Sequence, residues 1–162
     1  MTSFLQESNL FANALTELKG KPVLVLGHRR PDGDCIGSQV GLTRVLIALG
    51  VNARAVNQDP VPRTLKKFVG NTPFFSPEEI EGNDFTIVTV DCADKHRIGE
   101  ELSKRFPEVF LNIDHHVSNN NYAKTNFVLA DASATGEILA KFFLDCEMKI
   151  DSITADALYV GI

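Results

Sequence analysis

The sequence has no apolar run of the roughly 18 residues needed to cross a bilayer. The stretch Met1 to Gly20 has neither the basic start nor the apolar middle of a secretion signal, so membrane insertion and export are both disfavoured and the expected compartment is the cytoplasm. Cysteine is scarce: Cys35, Cys92 and Cys146 are odd in number and far apart, which supports neither a disulfide framework nor a zinc knuckle. Positive charge is short as well. Against 21 Asp and Glu there are 16 Lys and Arg, a formal net charge of −5, and no dense basic cluster. That argues against a wide electrostatic grip on long duplex nucleic acid, though a metal-lined cleft can still take a small phosphate. Internal repeats and low-complexity tracts are also missing. What is present is 162 residues, 44% of them apolar, which is about one domain with enough chain to bury a core.

The patterning alternates strand and helix. Thr2 to Leu18 places Phe4, Phe11, Leu15 and Leu18 at helical spacing and ends at Lys19-Gly20. Pro22 to Leu26 reads as a short buried strand, and Cys35 to Leu49, closed by Gly50, as a helix. Val51 to Val56 completes a β-α-β unit with parallel pairing. Asn57 to Pro62 is loop, Arg63 to Val69 a short helix, and Asn71 to Asp84 irregular linking chain. Further strands are expected at Phe85–Val90, Val109–Ile113 and Phe127–Leu129, and helices at Ile98–Phe106, Ile138–Leu144 and Ile153–Ile162. The class this predicts is α/β, a doubly wound parallel sheet with helices on both faces.

Three strand ends are polar. After Leu26 comes Gly27-His28-Arg29-Arg30-Pro31-Asp32-Gly33-Asp34, after Val90 comes Asp91, and after Ile113 comes Asp114-His115-His116. Ligands in doubly wound sheets bind beyond the carboxyl ends of the strands, so these groups can face one crevice. Taken alone, the first stretch is also a plain polar turn with Asp34 capping the following helix, and His115-His116 a chance pair. Together they form a thiolate-free set of carboxylates and imidazoles, which suits Mn²⁺ or Mg²⁺ with Zn²⁺, Co²⁺ or Fe²⁺ as competitors. Close carboxylates repel one another, and a bound cation relieves the repulsion. The set exceeds the needs of one ion but matches two, about 3.5–4 Å apart, with Asp91 as the natural bridge.

The segments His28-Arg29-Arg30-Pro31-Asp32-Gly33-Asp34, Val90-Asp91-Cys92-Ala93-Asp94 and Asn112-Ile113-Asp114-His115-His116 resemble, in order, the motifs of the DHH phosphoesterases, within which the nanoRNase/pAp-phosphatase type is most similar. Asn57-Gln58-Asp59-Pro60-Val61-Pro62 and Asp131-Ala132-Ser133-Ala134-Thr135-Gly136-Glu137 are supporting likenesses. The resemblance implies a Rossmann-like DHH domain holding two divalent ions, Mn²⁺ first. His28 and Asp32 would be ligands of one ion, Asp34 and His115 of the other, and Asp91 the bridge. Asp114 would orient a neighbouring His, and His116 would contact the scissile phosphate or help its leaving group. The implied substrates are pAp or very short oligoribonucleotides, cut by a metal-activated water.

The same resemblance implies a further metal-binding Asp shortly after Ala157–Ile162 and a C-terminal DHH-associated domain, so residues 1–162 are expected to be a catalytic domain truncated before both, with little or no activity alone. Apolar side chains near Ile153 to Ile162 would then be exposed and able to pair in a homodimer. Neighbouring readings within the fold are a family II pyrophosphatase, an exopolyphosphatase or a RecJ-like exonuclease. Readings of another class are a non-catalytic nucleotide-binding regulatory module and a plain structural α/β domain.

Overall fold

Six parallel strands organise the chain. A computed structural model describes residues 4–162; Thr2 and Ser3, at the start of the first expected helix, lie outside the described residues. β1 (Pro22–Leu26) is central, pairing with β2 (Asn52–Val56) on one side and β4 (Thr86–Val90) on the other. The sheet continues through β3 (Phe74–Phe75) at one edge and through β5 (Leu111–Asp114) and β6 (Thr125–Val128) at the other. The order is β3-β2-β1-β4-β5-β6. The chain therefore moves outward from β1 in one direction, returns, and moves outward from β4 in the other. That leaves a switch point between β1 and β4, where crevices form in such sheets.

Alternation along the strands explains the layers, because successive side chains point to opposite faces. Val23, Val25, Val88, Val90, Leu111 and Ile113 pack into one core with Phe11 of α1 (Leu5–Thr16), Leu42 and Leu46 of α2 (Gly33–Ala48) and Phe142 of α5 (Thr135–Asp145). Leu24, Leu26 and Ile87 face the other way and pack on Ile98, Leu102 and Phe106 around α4 (Glu100–Arg105). The sheet is thus covered on both faces. Among the described residues, no helix is long and apolar enough to cross a membrane.

α6 (Ser152–Gly161) lies directly on α2. Its approach depends on Gly37, where a Cβ would sit 2.2 Å from the Ala157 carbonyl oxygen. Its start is tied by Arg44, which forks onto both carboxylate oxygens of Asp151 and donates to Asn71 Oδ1 at 2.8 Å. Asp151 in turn caps α6 by accepting from Thr154 N.

Several boundaries differ from the sequence reading. Asn71–Asp84 is not wholly irregular, since it holds the edge strand β3 and a 3-10 turn at Pro77–Glu79; two paired residues leave too short a pattern to read. Ile98–Phe106 is not one helix: a 3-10 turn, Lys95–Ile98, is separated from α4 by Gly99, whose φ of 109° breaks the helical path. α3 is only Lys66–Val69. Of the expected apolar surface at the chain end, Ala157 and Leu158 are buried and only Tyr159 and Ile162 stand out.

Candidate metal centre

The pairings that align Leu26 with Thr89, and Val90 with Ile113, bring three strand ends to one level. His28, Asp91 and Asp114 leave the sheet there side by side. All three are buried.

The β1–α2 turn divides its two carboxylates. Asp32 is the N-cap of α2, and its Oδ1 accepts from Cys35 N at 3.1 Å. Capping by Asp34 is thereby corrected: Asp34 lies inside the first turn and points the other way. Its Oδ2 accepts from Thr135 N and its Oδ1 from Gly136 N, both at 2.8 Å, and Ser38 Oγ donates to Oδ1 at 3.0 Å. The N-terminus of α5 therefore holds Asp34 in place with its free N–H groups, a favourable seat for an anion.

Asp91 joins the two halves. Its Oδ2 is 3.3 Å from His28 Nε2, while its Oδ1 is 3.7 Å from His115 Nε2 and 3.6 Å from His116 Nδ1. His28 Nε2 is also 3.7 Å from Asp32 Oδ1, and His115 Nε2 is 3.7 Å from Asp34 Oδ2. His28, Asp32 and Asp91 offer ligand atoms within 4.8 Å of one another, as do Asp91, His115 and His116. Asp91 has a left-handed backbone, φ 57°, uncommon for a non-glycine residue and typical of strained functional positions. Thr135 Oγ1 steadies its Oδ1 by donating at 3.2 Å.

The imidazoles decide what this cluster needs. His28 Nδ1 lies 2.8 Å from the Arg29 carbonyl, an acceptor only, so Nδ1 carries the proton. In the neutral ring Nε2 then turns a lone pair toward two carboxylates, an arrangement satisfied when a second proton on the ring or a metal cation stands between them. His115 repeats it, with Nδ1 facing the Ala132 carbonyl at 3.4 Å and Nε2 facing Asp34 and Asp91. Burial pulls the His28 pKa down, but Asp32 and Asp91 outweigh it and push it up to about 12. His28 holds Asp32 down at about 2. Burial, then the charge of Asp91, lifts Asp34 to about 6. Among the described residues, no Lys or Arg pairs with Asp32, Asp34, Asp91 or Asp114. A carboxylate–imidazole set with this unmet demand for positive charge fits divalent metal ions.

His116 differs. Its Nδ1 is 2.7 Å from Asp114 Oδ1, which leaves Nε2 free. Asp114 Oδ2 accepts from Asn119 Nδ2 at 2.6 Å, and Asn119 also donates to Asn112 Oδ1 at 2.9 Å. Asn112 donates onward to Thr89 Oγ1 and Tyr122 Oη, both at 2.9 Å. A buried polar chain thus runs from Tyr122 to the His116 ring. The structure brings the seven candidate residues His28, Asp32, Asp34, Asp91, Asp114, His115 and His116 together around this one cluster, whereas Asp94 of the second motif instead caps the 3-10 turn through His96 N. The sequence reading missed Asn119, in the asparagine-rich stretch Ser118 to Tyr122 that reads as loop, and Ser38, and it named Thr135 only within a supporting likeness without a role.

A parallel α/β sheet with carboxylates and imidazoles gathered at its switch point defines an α/β fold with a candidate site for divalent metal ions. The chain belongs to the DHH family: residues 22–162 match that family's N-terminal domain. It is 32% identical over 136 residues to the bifunctional oligoribonuclease and PAP phosphatase NrnA of Thermus thermophilus, covering 84% of this chain and 40% of that protein. It is 28% identical over 155 residues to the probable bifunctional oligoribonuclease and PAP phosphatase NrnA of Streptococcus mutans, covering 94% of this chain and 48% of that one. An exopolyphosphatase-related protein from Bacteroides fragilis shares the fold, with a TM-score of 0.82 at 21% identity over 99% of this chain and 51% of its own. The chain spans less than half the length of the two curated relatives.

Proposed function

We propose that this domain hydrolyses phosphate esters of small nucleotides, pAp or very short oligoribonucleotides, with divalent metal ions as cofactors. The observation that carries the reading is Asp91, one carboxylate placed between His28 on one side and His115 on the other. His28 and Asp32 would hold one ion, Asp34 and His115 the second, with Asp91 shared. Ions bound there supply Lewis-acid polarisation of a phosphoryl oxygen and a water of lowered pKa. Hard oxygen donors with borderline imidazoles put Mn²⁺ first, ahead of Mg²⁺, Co²⁺ and Zn²⁺.

The protein's own groups do the rest. Asp34, fastened to the α5 N-terminus, and Asp32, fastened to the start of α2, keep the ligand oxygens from rotating. Asp114 holds the His116 ring so that Nε2 faces outward, where it can contact the scissile phosphate or give a proton to the leaving oxygen. No covalent protein intermediate is required. Turnover by residues 1–162 alone is expected to be low, because the matched relatives are about twice as long.

Phosphate release from pAp and from pyrophosphate, with Mn²⁺ or Mg²⁺, tests the reading in the protein at the length of its relatives. Metal-dependent release from pAp supports it. Release from pyrophosphate alone would favour the pyrophosphatase alternative, and one weak Mn²⁺ site by calorimetry would favour a regulatory module.

A further inference from the structure

We infer that Tyr122 is a positioning residue for Asp91, its hydroxyl holding the Cys92 carbonyl and through it the left-handed backbone that aims the shared carboxylate; this rests on the metal reading above. The asparagine-rich stretch Ser118 to Tyr122 thereby acts as a clamp on the chain that follows β4.

Asp91 is fixed on one side by the sheet, where its N–H donates to the Ile113 carbonyl at 3.0 Å. Its φ of 57° then turns the chain, and a non-glycine residue stays in that region only where its surroundings impose it. The imposing contacts come from the stretch after the paired histidines. Tyr122 Oη donates to the Cys92 carbonyl at 3.0 Å, Asn120 N to the Ala93 carbonyl at 3.2 Å, and Asn120 Nδ2 to Asp94 Oδ2 at 2.7 Å. Each of the residues Cys92, Ala93 and Asp94 is therefore tied to that one stretch.

The placement of protons singles out Tyr122. The amide protons of Asn119 are taken by its shortest contacts, Asp114 Oδ2 at 2.6 Å and Asn112 Oδ1 at 2.9 Å. Those of Asn112 go to Thr89 Oγ1 and Tyr122 Oη, both at 2.9 Å. The approaches of these two amides to the Cys92 carbonyl are longer, 3.2 Å and 3.3 Å. Thr89 Oγ1, 2.8 Å from Tyr122 Oη, donates to it, which leaves the Tyr122 proton for the Cys92 oxygen, an acceptor only. Asn119 thus serves His116 through Asp114, whereas Tyr122 serves Asp91. Released at Cys92, the chain relaxes toward an ordinary φ and the Asp91 carboxylate leaves its place between His28 and His115. The Tyr122 ring packs against the core around Ile98 and Leu102, so Phe keeps that packing and loses only the hydroxyl.

The test is Mn²⁺ binding by calorimetry and electron paramagnetic resonance, in the protein at the length of its relatives. The wild type should bind a pair of ions whose spectrum shows magnetic coupling across a shared carboxylate. Tyr122→Phe should weaken the second ion about tenfold or more and replace the coupled spectrum with that of isolated ions. Thr89→Val removes a hydroxyl from the same network but leaves the Tyr122 proton on Cys92, so it should keep both affinities and the coupling near wild type. Where Tyr122→Phe does not fold, Asn120→Ala, at an exposed position, reads the same clamp and should weaken the second ion severalfold. Coupling and affinity unchanged in Tyr122→Phe, or in Asn120→Ala where it stands in, overturn the inference and leave the metal centre standing. Equal losses in Tyr122→Phe and Thr89→Val also overturn it, since they report a general loosening of the network. A wild type that binds no Mn²⁺ pair overturns the metal reading, and this inference falls with it.

Discussion

Oδ2 of Asp91 lies 3.3 Å from Nε2 of His28, although the Nδ1 proton of that ring is already committed to the Arg29 carbonyl. A lone pair and a carboxylate at that distance need a proton or a metal cation between them. Replacing Asp91 by Asn should remove the demand. Differential scanning fluorimetry of the wild type should show Mn²⁺ raising the melting temperature, by about 2.7 kcal/mol of stabilisation at a hundredfold excess over Kd. Asp91→Asn should lose that rise. An undiminished Mn²⁺ response in the variant would refute the bridging role.

The metal-free chain should become less stable as pH rises from 5 to 8. Asp34 is lifted to about 6 by burial and by Asp91, so its folded form binds a proton more tightly than the unfolded chain does. That contribution is complete below its ordinary value of 3.8 and is lost as pH climbs through about 6. His28, raised to about 12, acts in the same sense above its ordinary 6.5. Asp32, held at about 2, acts oppositely, but only as pH falls below 3.8. Saturating Mn²⁺ should reverse the slope, since the ligands bind it deprotonated. Urea melts in EDTA across this range would contradict the assignment by rising with pH.

Asn119→Ala should weaken catalysis more than metal binding. Its amide donates to Asp114, Asn112 and the Cys92 carbonyl, so removal strands buried acceptors at about 1–3 kcal/mol. The released Asp114 no longer fixes His116, and loss of such outer support typically costs 10–100-fold. The pH–rate profile should shift along with the rate, while Mn²⁺ affinity stays within a few-fold. A profile unmoved by the substitution would limit Asn119 to a structural role.

Gly37→Ala tests the seat of α6. The new methyl would meet the Ala157 carbonyl at 2.2 Å, forcing the two helices apart at about 1–3 kcal/mol or more. Gly161 also packs beside Asp34, so the shift should loosen the metal centre too. A melting temperature equal to the wild type would mean that the helices do not approach as closely as described.

Much of the centre was legible because it lies at strand ends. A run such as Val23–Leu26 announces a buried strand, and the residues that follow it in a parallel sheet emerge at the ligand-binding edge. His28, Asp32, Asp34, Asp91, Asp114, His115 and His116 could be listed from that rule. Their division of labour could not. Nothing in the sequence separates Asp32 from Asp34, yet one caps α2 while the other is gripped by an α5 residue 101 positions away. Asn119 looked like loop because its partners, Asn112 and Cys92, reach it only once β4 and β5 are paired.

The sequence by itself determined the alternation of strand and helix, the chemistry of the donor set and its place at the strand ends, because periodicity and ligand type are local properties. Only the tertiary structure decided which oxygen faces which imidazole, and that Asp91 stands between two histidines. Those relations depend on strand order, register and the close seating of α6 on Gly37, which arise between segments distant in the chain and are written in no one of them.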